Sequence, residues 1–381
     1  MTALFTMAAT AVTQGFARFA YSFVLPAMTK DVLGSYSVAG LLGAANLGAY
    51  LLAVLVMTVR PPRVEPTLLV KSGLVISTSG FVLIATGSRL WMLFLGITLL
   101  GASTAIVWLP CSAILAQRAP VQRRGLAYGL MIMGVGVSIW LTGVLTNMTR
   151  QRYGDDTWRP LWMVIAGISV GTFMSVAIGL RPIGRATPAP IRGFFRGSSH
   201  FRTARLAMGY GLYGAGFSVY VHYLAAALQN EGGLDQSAAN ATYALLGIAS
   251  MFGSVLIGRI SDRLHRAHVL SVAVGATGLC AMLLILVRGQ AAATIGVLVF
   301  GLCMTGIGSV QAAYISDEVE PNDVATIFGL ATLSLAFAQV IAPPVGGWLV
   351  DHTGSFTITY LLSGTASLAA GAVIWTLPST R

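Results

Sequence analysis

Trp91 to Leu115 reads WMLFLGITLLGASTAIVWLPCSAIL, twenty-five residues without a single charge. As an α-helix such a run rises about 37 Å, more than the roughly 30 Å hydrocarbon core of a bilayer. In lipid, open backbone groups find no partner, so the run must be helical. A membrane barrel needs short segments of alternating polarity, and this stretch is long and continuous.

Working outward, runs of the same kind fill the chain. They fall near 4–27, 38–59, 66–87, 91–115, 124–147 and 159–180, then 206–229, 239–259, 268–287, 292–315, 325–350 and 356–378. Twelve helices in a lipid solvent agree with the composition. Of 381 residues, 56% are apolar and 9% charged, against about 25% charged in a soluble domain. The 44 glycines keep no collagen-like period, and 14 prolines are too few for a disordered linker protein. The first run lacks the Lys/Arg flank of a cleavable signal and reads as a retained span.

Cys111, Cys280 and Cys303 lie far apart inside apolar runs. They offer neither a disulfide framework nor a zinc spacing, and behave as small buried hydrophobes. The net charge of +11 is scattered over short loops, which leaves no basic face for nucleic acid. Counted by loop, one side of the membrane carries sixteen Lys/Arg, among them Arg60, Arg63, Lys71, Arg118, Arg123, Arg124, Arg259, Arg263 and Arg266. The other side carries six: Lys30, Arg89, Arg150, Arg152, Arg159 and Arg288. The positive-inside rule then puts both termini in the cytoplasm of a bacterial-type inner membrane. Acids count little in that rule, so the cluster Asp317, Glu318, Glu320 and Asp323 does not alter it.

The segment 181–205 holds Arg181, Arg185, Arg192, Arg196, Arg202 and Arg205 without an acid. It separates an N-terminal bundle, 1–180, from a C-terminal bundle, 206–381. Phe194, Phe195 and Phe201 suit a segment lying on the anionic inner leaflet; a solvated linker fits equally.

The two halves repeat at an offset of about 200 residues. Gly15-Phe16 matches Gly216-Phe217, Gly101–Pro120 matches Gly301–Pro321, and Gly143–Thr149 matches Gly347–Thr353. Two parallel six-helix halves imply a solute site between them near the midplane, opened alternately to either side.

On these features the chain resembles the major facilitator superfamily over essentially its full length. The loop Gly258-Arg-Ile-Ser-Asp262-Arg263-Leu-His265-Arg266 is similar to the superfamily's cytoplasmic G-x-x-x-D-R-x-G-R signature, with His265 at the second glycine. The corresponding loop of the first half, Val59 to Val70, lacks the glycine and aspartate. Asp155-Asp156-Thr157-Trp158-Arg159 looks like another common superfamily feature. The first helix, from Gly15 through Arg18 and Tyr21 to Met28, resembles the YbfB/YjiJ-type branch. The resemblance implies an all-α fold of two pseudo-symmetric six-helix bundles, transport by alternating access, no cofactor and no enzymatic activity. It also implies a latch at Gly258, Asp262, Arg263 and Arg266. A monomer suffices, because two halves already enclose a site.

Arg18 is the most informative residue. It lies inside the first span, where a cation costs about 2.5–3.5 kcal/mol on insertion scales. All twelve acids fall in loops or at span ends. Gln14, Arg18, Tyr21 and Ser22 stand at i, i+4, i+7 and i+8 and share one helical face. A guanidinium fork matches a carboxylate, so this stripe is expected to hold an organic anion; an arginine bonded to helix carbonyls is the alternative.

His222 mirrors Tyr21 by the repeat, and an unperturbed imidazole changes charge near neutrality, which suits a coupling proton; a packing histidine is the plainer reading. Trp108 and Gln311 lie on helices that line the cavity in the superfamily. Tyr213, Phe217 and Tyr220 form an aromatic stripe that suits helix packing as well as solute contact; Tyr220 joins the candidate lining. Asn46, Tyr50 and Gln339 are polar groups expected to face other helices. The superfamily's antiporter signature in span five lacks its proline here, and its nearest echo is Ala342–Gly347 in span eleven. Gly209-Tyr-Gly211-Leu-Tyr-Gly214 fits G-x-G-x-x-G but has no preceding strand, which excludes a dinucleotide site. The expected function is transport of a small organic anion. Efflux of amphipathic drug-like compounds is the alternative, and an intramembrane enzyme or receptor a distant one.

Overall fold

The computed structural model describes residues 1–381 except 61, 63, 121–123, 155–156, 183–199, 319–323 and 378–381. Much of the expected Arg-rich linker, with Phe194 and Phe195, and the acids Asp155, Asp156, Glu320 and Asp323 therefore lie outside the described residues. Everything described in regular structure is helical, in twelve rods. The first, α1, runs continuously over residues 2–33. It is followed by α2 (Tyr36–Val59), α3 (Pro66–Thr86), α4 (Leu90–Arg118), α5 (Arg124–Tyr153) and α6 (Arg159–Gly179). Then come α7 (His200–Asn230), α8 (Gln236–Ser261), α9 (Arg266–Leu286), α10 (Gln290–Glu318), α11 (Val324–Thr353) and α12 (Thr357–Trp375). Ten of them are by themselves long and apolar enough to cross a membrane. A helix occupies each of the twelve expected spans. Several helices outrun their apolar stretch, since a helix can continue once its backbone leaves the hydrocarbon.

The chain divides into two compact units, Met1–Pro188 and Ala189–Arg381. Each packs its six helices in the same pairs. In unit 1, α1 lies on α5, α2 on α4, and α3 on both α4 and α6. In unit 2, α7 lies on α11, α8 on α10, and α9 on both α10 and α12.

The repeat reaches the level of caps. Ser35 accepts the amide of Val38 at 3.2 Å to start α2, and Asp235 accepts that of Ala238 at 2.8 Å to start α8. Such a side chain satisfies one of the orphan amides of a helix start. The turns before them need a left-handed residue, supplied by Gly34 (φ 71°) and Gly233 (φ 69°), where only glycine is unstrained.

One feature breaks the symmetry. Within α1, residues Ala11–Phe16 and Thr29–Leu33 are wound as π-helix, whereas α7 is α-helical throughout. Short π segments inside α-helices occur frequently at functional sites.

Candidate functional site

The first π segment ends two residues before Arg18. It carries Gln14, whose side-chain oxygen accepts the Arg18 guanidinium at 3.4 Å. The guanidinium carbon lies 5.4 Å from the ring centroid of Tyr50 on α2, within the range of a cation–π contact. Arg18 is partly exposed and Gln14 is buried. The neighbouring backbone is fixed by Asn46, whose amide donates to the carbonyls of Ala17 on α1 and Ile97 on α4, both at 3.2 Å. Asn46 thus faces helices, as its sequence context predicts, and it pins the residue immediately before Arg18. Thr104 adds a second tie, its hydroxyl donating to the Thr13 carbonyl at 2.6 Å.

The rest of the Arg18 stripe is spent on packing. Tyr21 is buried and donates its hydroxyl to the Ala39 carbonyl of α2 at 3.1 Å, and Ser22 is buried as well. Gln14, Arg18 and Tyr50 therefore come together, while Tyr21 bonds α2 and Ser22 is buried. The phase argument behind the stripe assumes uniform α winding, and Gln14 lies in the π segment, where that assumption does not hold. Tyr50 joins Arg18 through contact between helices, which spacing along one helix cannot reveal. Trp108 on α4 is partly exposed.

In unit 2, Tyr220 is wholly buried. Its ring stacks on Phe300 of α10 with centroids 3.8 Å apart and meets Tyr360 of α12 at 5.7 Å. Tyr213 and Phe217 continue the run, Phe217 stacking on Phe300 at 6.0 Å. The stripe thus packs α7 against α10 and α12. His222 is buried and edge-on to Tyr223 at 4.8 Å. Tyr223 donates its hydroxyl to the Pro343 carbonyl of α11 at 2.6 Å. Gln311 on α10 is buried, and its side-chain nitrogen has no hydrogen-bond partner among the described residues. An orphaned buried donor of this kind is rare in folded proteins.

At the α8–α9 turn, Arg266 stands 2.8 Å from Asp317 on α10 and 3.4 Å from Asp262. Gly258 faces α10 with room for a side chain, a Cβ there lying 3.8 Å from the Ser309 hydroxyl, in ordinary van der Waals contact. Arg263 is exposed. Asp317 is the partner that motif reading leaves out; the acidic cluster on the same side as a basic loop is the signal that points to it.

Outside these groups, a cavity of about 490 Å³ lies where α1 finishes and α6 starts, lined by Lys30, Asp31 and Trp158 among others. Among the described residues no cluster of His, Cys, Asp or Glu could hold a metal ion.

The fold is shared with solved transporters. A bacterial homologue of the human lysosomal transporter Spinster superposes with a TM-score of 0.70 at 13% identity, covering 98% of this chain and 94% of that one. The nucleoside transporter NupG superposes at 0.78 with 12% identity, covering 99% and 100%. In sequence, monocarboxylate transporter 13 of Rattus norvegicus is 25% identical over 83% of this chain and 74% of its own length. Monocarboxylate transporter 11 of Homo sapiens is 28% identical over 80% and 67%. The family described as uncharacterised MFS-type transporter YbfB matches residues 10–375. A twelve-helix chain with these packing pairs, matched over nearly all its length, belongs to that family and is a multi-pass membrane transporter rather than an enzyme.

Proposed function

We propose that this transporter moves a small organic anion across a bacterial-type inner membrane by alternating access, with both termini in the cytoplasm. The observation that carries the reading is Arg18. Its guanidinium sits inside a span, against a neutral amide and an aromatic face, in a chain whose twelve acids all fall in loops or at span ends. Such a group gains most from a carboxylate that arrives with the solute, because the fork offers two parallel donors to it. The names of the monocarboxylate transporters similar to this chain agree with that chemistry.

In this reading Gln14 orients the guanidinium, and Tyr21 and Ser22 hold the helix that carries it. Trp108, Tyr220, His222 and Gln311 are the remaining candidates, with His222 as carrier of a coupling proton and the spare Gln311 amide as a donor to the solute. Gly258, Asp262, Arg263 and Arg266 form a latch that favours one conformation.

A thermal-shift panel on detergent-purified protein tests the anion reading with carboxylate, neutral and cationic metabolites. A ligand at 100 times its dissociation constant stabilises by about 2.7 kcal/mol. Carboxylates are expected to stabilise the wild type, and Arg18→Ala to stay folded and lose that response. Amphipathic cations that stabilise both proteins equally would make Arg18 architectural and favour efflux.

A further inference from the structure

Each unit ties one of its ends with the same device. In unit 1, Asp31 in the last turn of α1 accepts the indole N–H of Trp158 at 2.9 Å and a guanidinium N–H of Arg159 at 2.9 Å, where α6 begins. In unit 2, Glu231, directly after α7, accepts the backbone N–H of Phe356 at 2.8 Å and the hydroxyl of Ser355 at 2.7 Å, where α12 begins. A carboxylate at the end of its own helix faces the negative pole of that helix, and the start of the neighbouring helix offers a positive one. Both acids therefore gain by reaching across. The aromatic residue at each helix start is buried, Trp158 and Phe356 each being 1% exposed. The donors differ chemically between the units, whereas the positions correspond across the repeat.

We infer that Asp31 and Glu231 are positioning residues of the transport cycle. Each clasps the first helix of its unit to the last, so that the two swing as one body. This rests on the alternating-access reading above. The clasped helices α1 and α7 carry Arg18, Tyr220 and His222. A lost clasp therefore blurs the discrete conformations of the carrier without touching a side chain offered to solute.

The test uses the full chain in nanodiscs and needs no solute. Hydrogen exchange is followed at 158–162 and 356–360. Single-molecule energy transfer is read between dyes on cysteines replacing the exposed Arg89 and Arg288, the three native cysteines being buried. Asp31→Asn and Glu231→Gln are expected to speed exchange at their own site about tenfold and to merge two distance populations into one broad one. Trp158→Phe and Ser355→Ala, which remove one donor each, should give intermediate effects and carry the test should the acid variants not fold. Faster exchange with unchanged distance populations, or unchanged exchange, overturns the proposal. A wild type with a single distance population overturns alternating access itself, and the clasp with it. Loss of the carboxylate response in Arg18→Ala is independent of either result.

Discussion

The backbone oxygen of Asn46 occupies the space that a side chain on Gly101 would need, since a Cβ there would lie 2.0 Å from it. In the second unit Gly301 stands in the same relation to Leu246, at 2.6 Å. These contacts set how closely α4 approaches α2 and α10 approaches α8, and no rotamer change relieves a clash with backbone. Gly101→Ala is expected to destabilise the protein by about 3 kcal/mol, the upper range for an overpacked core. Gly301→Ala should cost less. Gly129→Ala, with nothing within 4 Å of the added methyl, should unfold at or above the wild-type temperature. Thermal unfolding in detergent ranks the three, and a Gly129 variant as unstable as Gly101→Ala would refute the contact argument.

Asn46 itself joins three helices through one amide group. Polar bridges between membrane helices contribute on the order of 1 kcal/mol each, so Asn46→Ala should lower stability by about that amount. The Asn46 amide also bonds Ile97 on α4, the helix that Gly101→Ala pushes away, so the double variant with Gly101→Ala should cost less than the sum of the two. Additive losses measured by thermal unfolding would show that the bridge and the close approach are independent.

The fold was legible because its signals are long. Twelve long apolar runs and an offset of 200 residues survive local irregularity, and the match of Gly101–Pro120 to Gly301–Pro321 is the same helix crossing seen twice. The site was only half legible. Arg18 and Gln14 could be paired from spacing, whereas Tyr50 comes from another helix and Tyr21 spends its hydroxyl on Ala39. The π winding of Ala11–Phe16 has no sequence mark that composition or periodicity detects. The clasps stayed hidden for a further reason: the partners of Glu231 include a backbone amide, which every residue but proline owns.

Tyr223 and Tyr21 give a matched pair of hydroxyl deletions. Tyr223 ties α7 to the carbonyl of Pro343 in α11, the first of two adjacent prolines that remove backbone donors from that helix. Tyr223→Phe keeps the ring and loses the bond, for an expected cost of about 1 kcal/mol. Amide exchange should rise at 345–349, immediately after the prolines. Tyr21→Phe, whose bond to Ala39 is longer, should cost less and leave exchange in α11 unchanged. Equal exchange in α11 for both variants would mean that Tyr223 does not restrain the proline segment.

Acid supplies the last prediction, through Asp31. The indole N–H of Trp158 has the largest effect on its carboxyl; burial opposes it, the bond and charge of Arg159 each add a smaller pull in the same direction as the indole, and the carboxyl lies below the ordinary value of 3.8. A carboxyl whose folded value is depressed stabilises the folded state fully above its unfolded value, and that stability is lost as pH falls through the folded value. The clasp of unit 1 should therefore hold unchanged from pH 8 down to about 5 and weaken only below about 4. The measurement is the difference between wild type and Asp31→Asn in amide exchange at 158–162, corrected for the intrinsic pH dependence of exchange. That difference should be constant through the neutral range and shrink only once the pH has fallen below the ordinary carboxyl value of 3.8. A difference that vanished between pH 5 and 7 would mean a carboxyl raised rather than depressed, and would contradict the two bonds that Asp31 accepts.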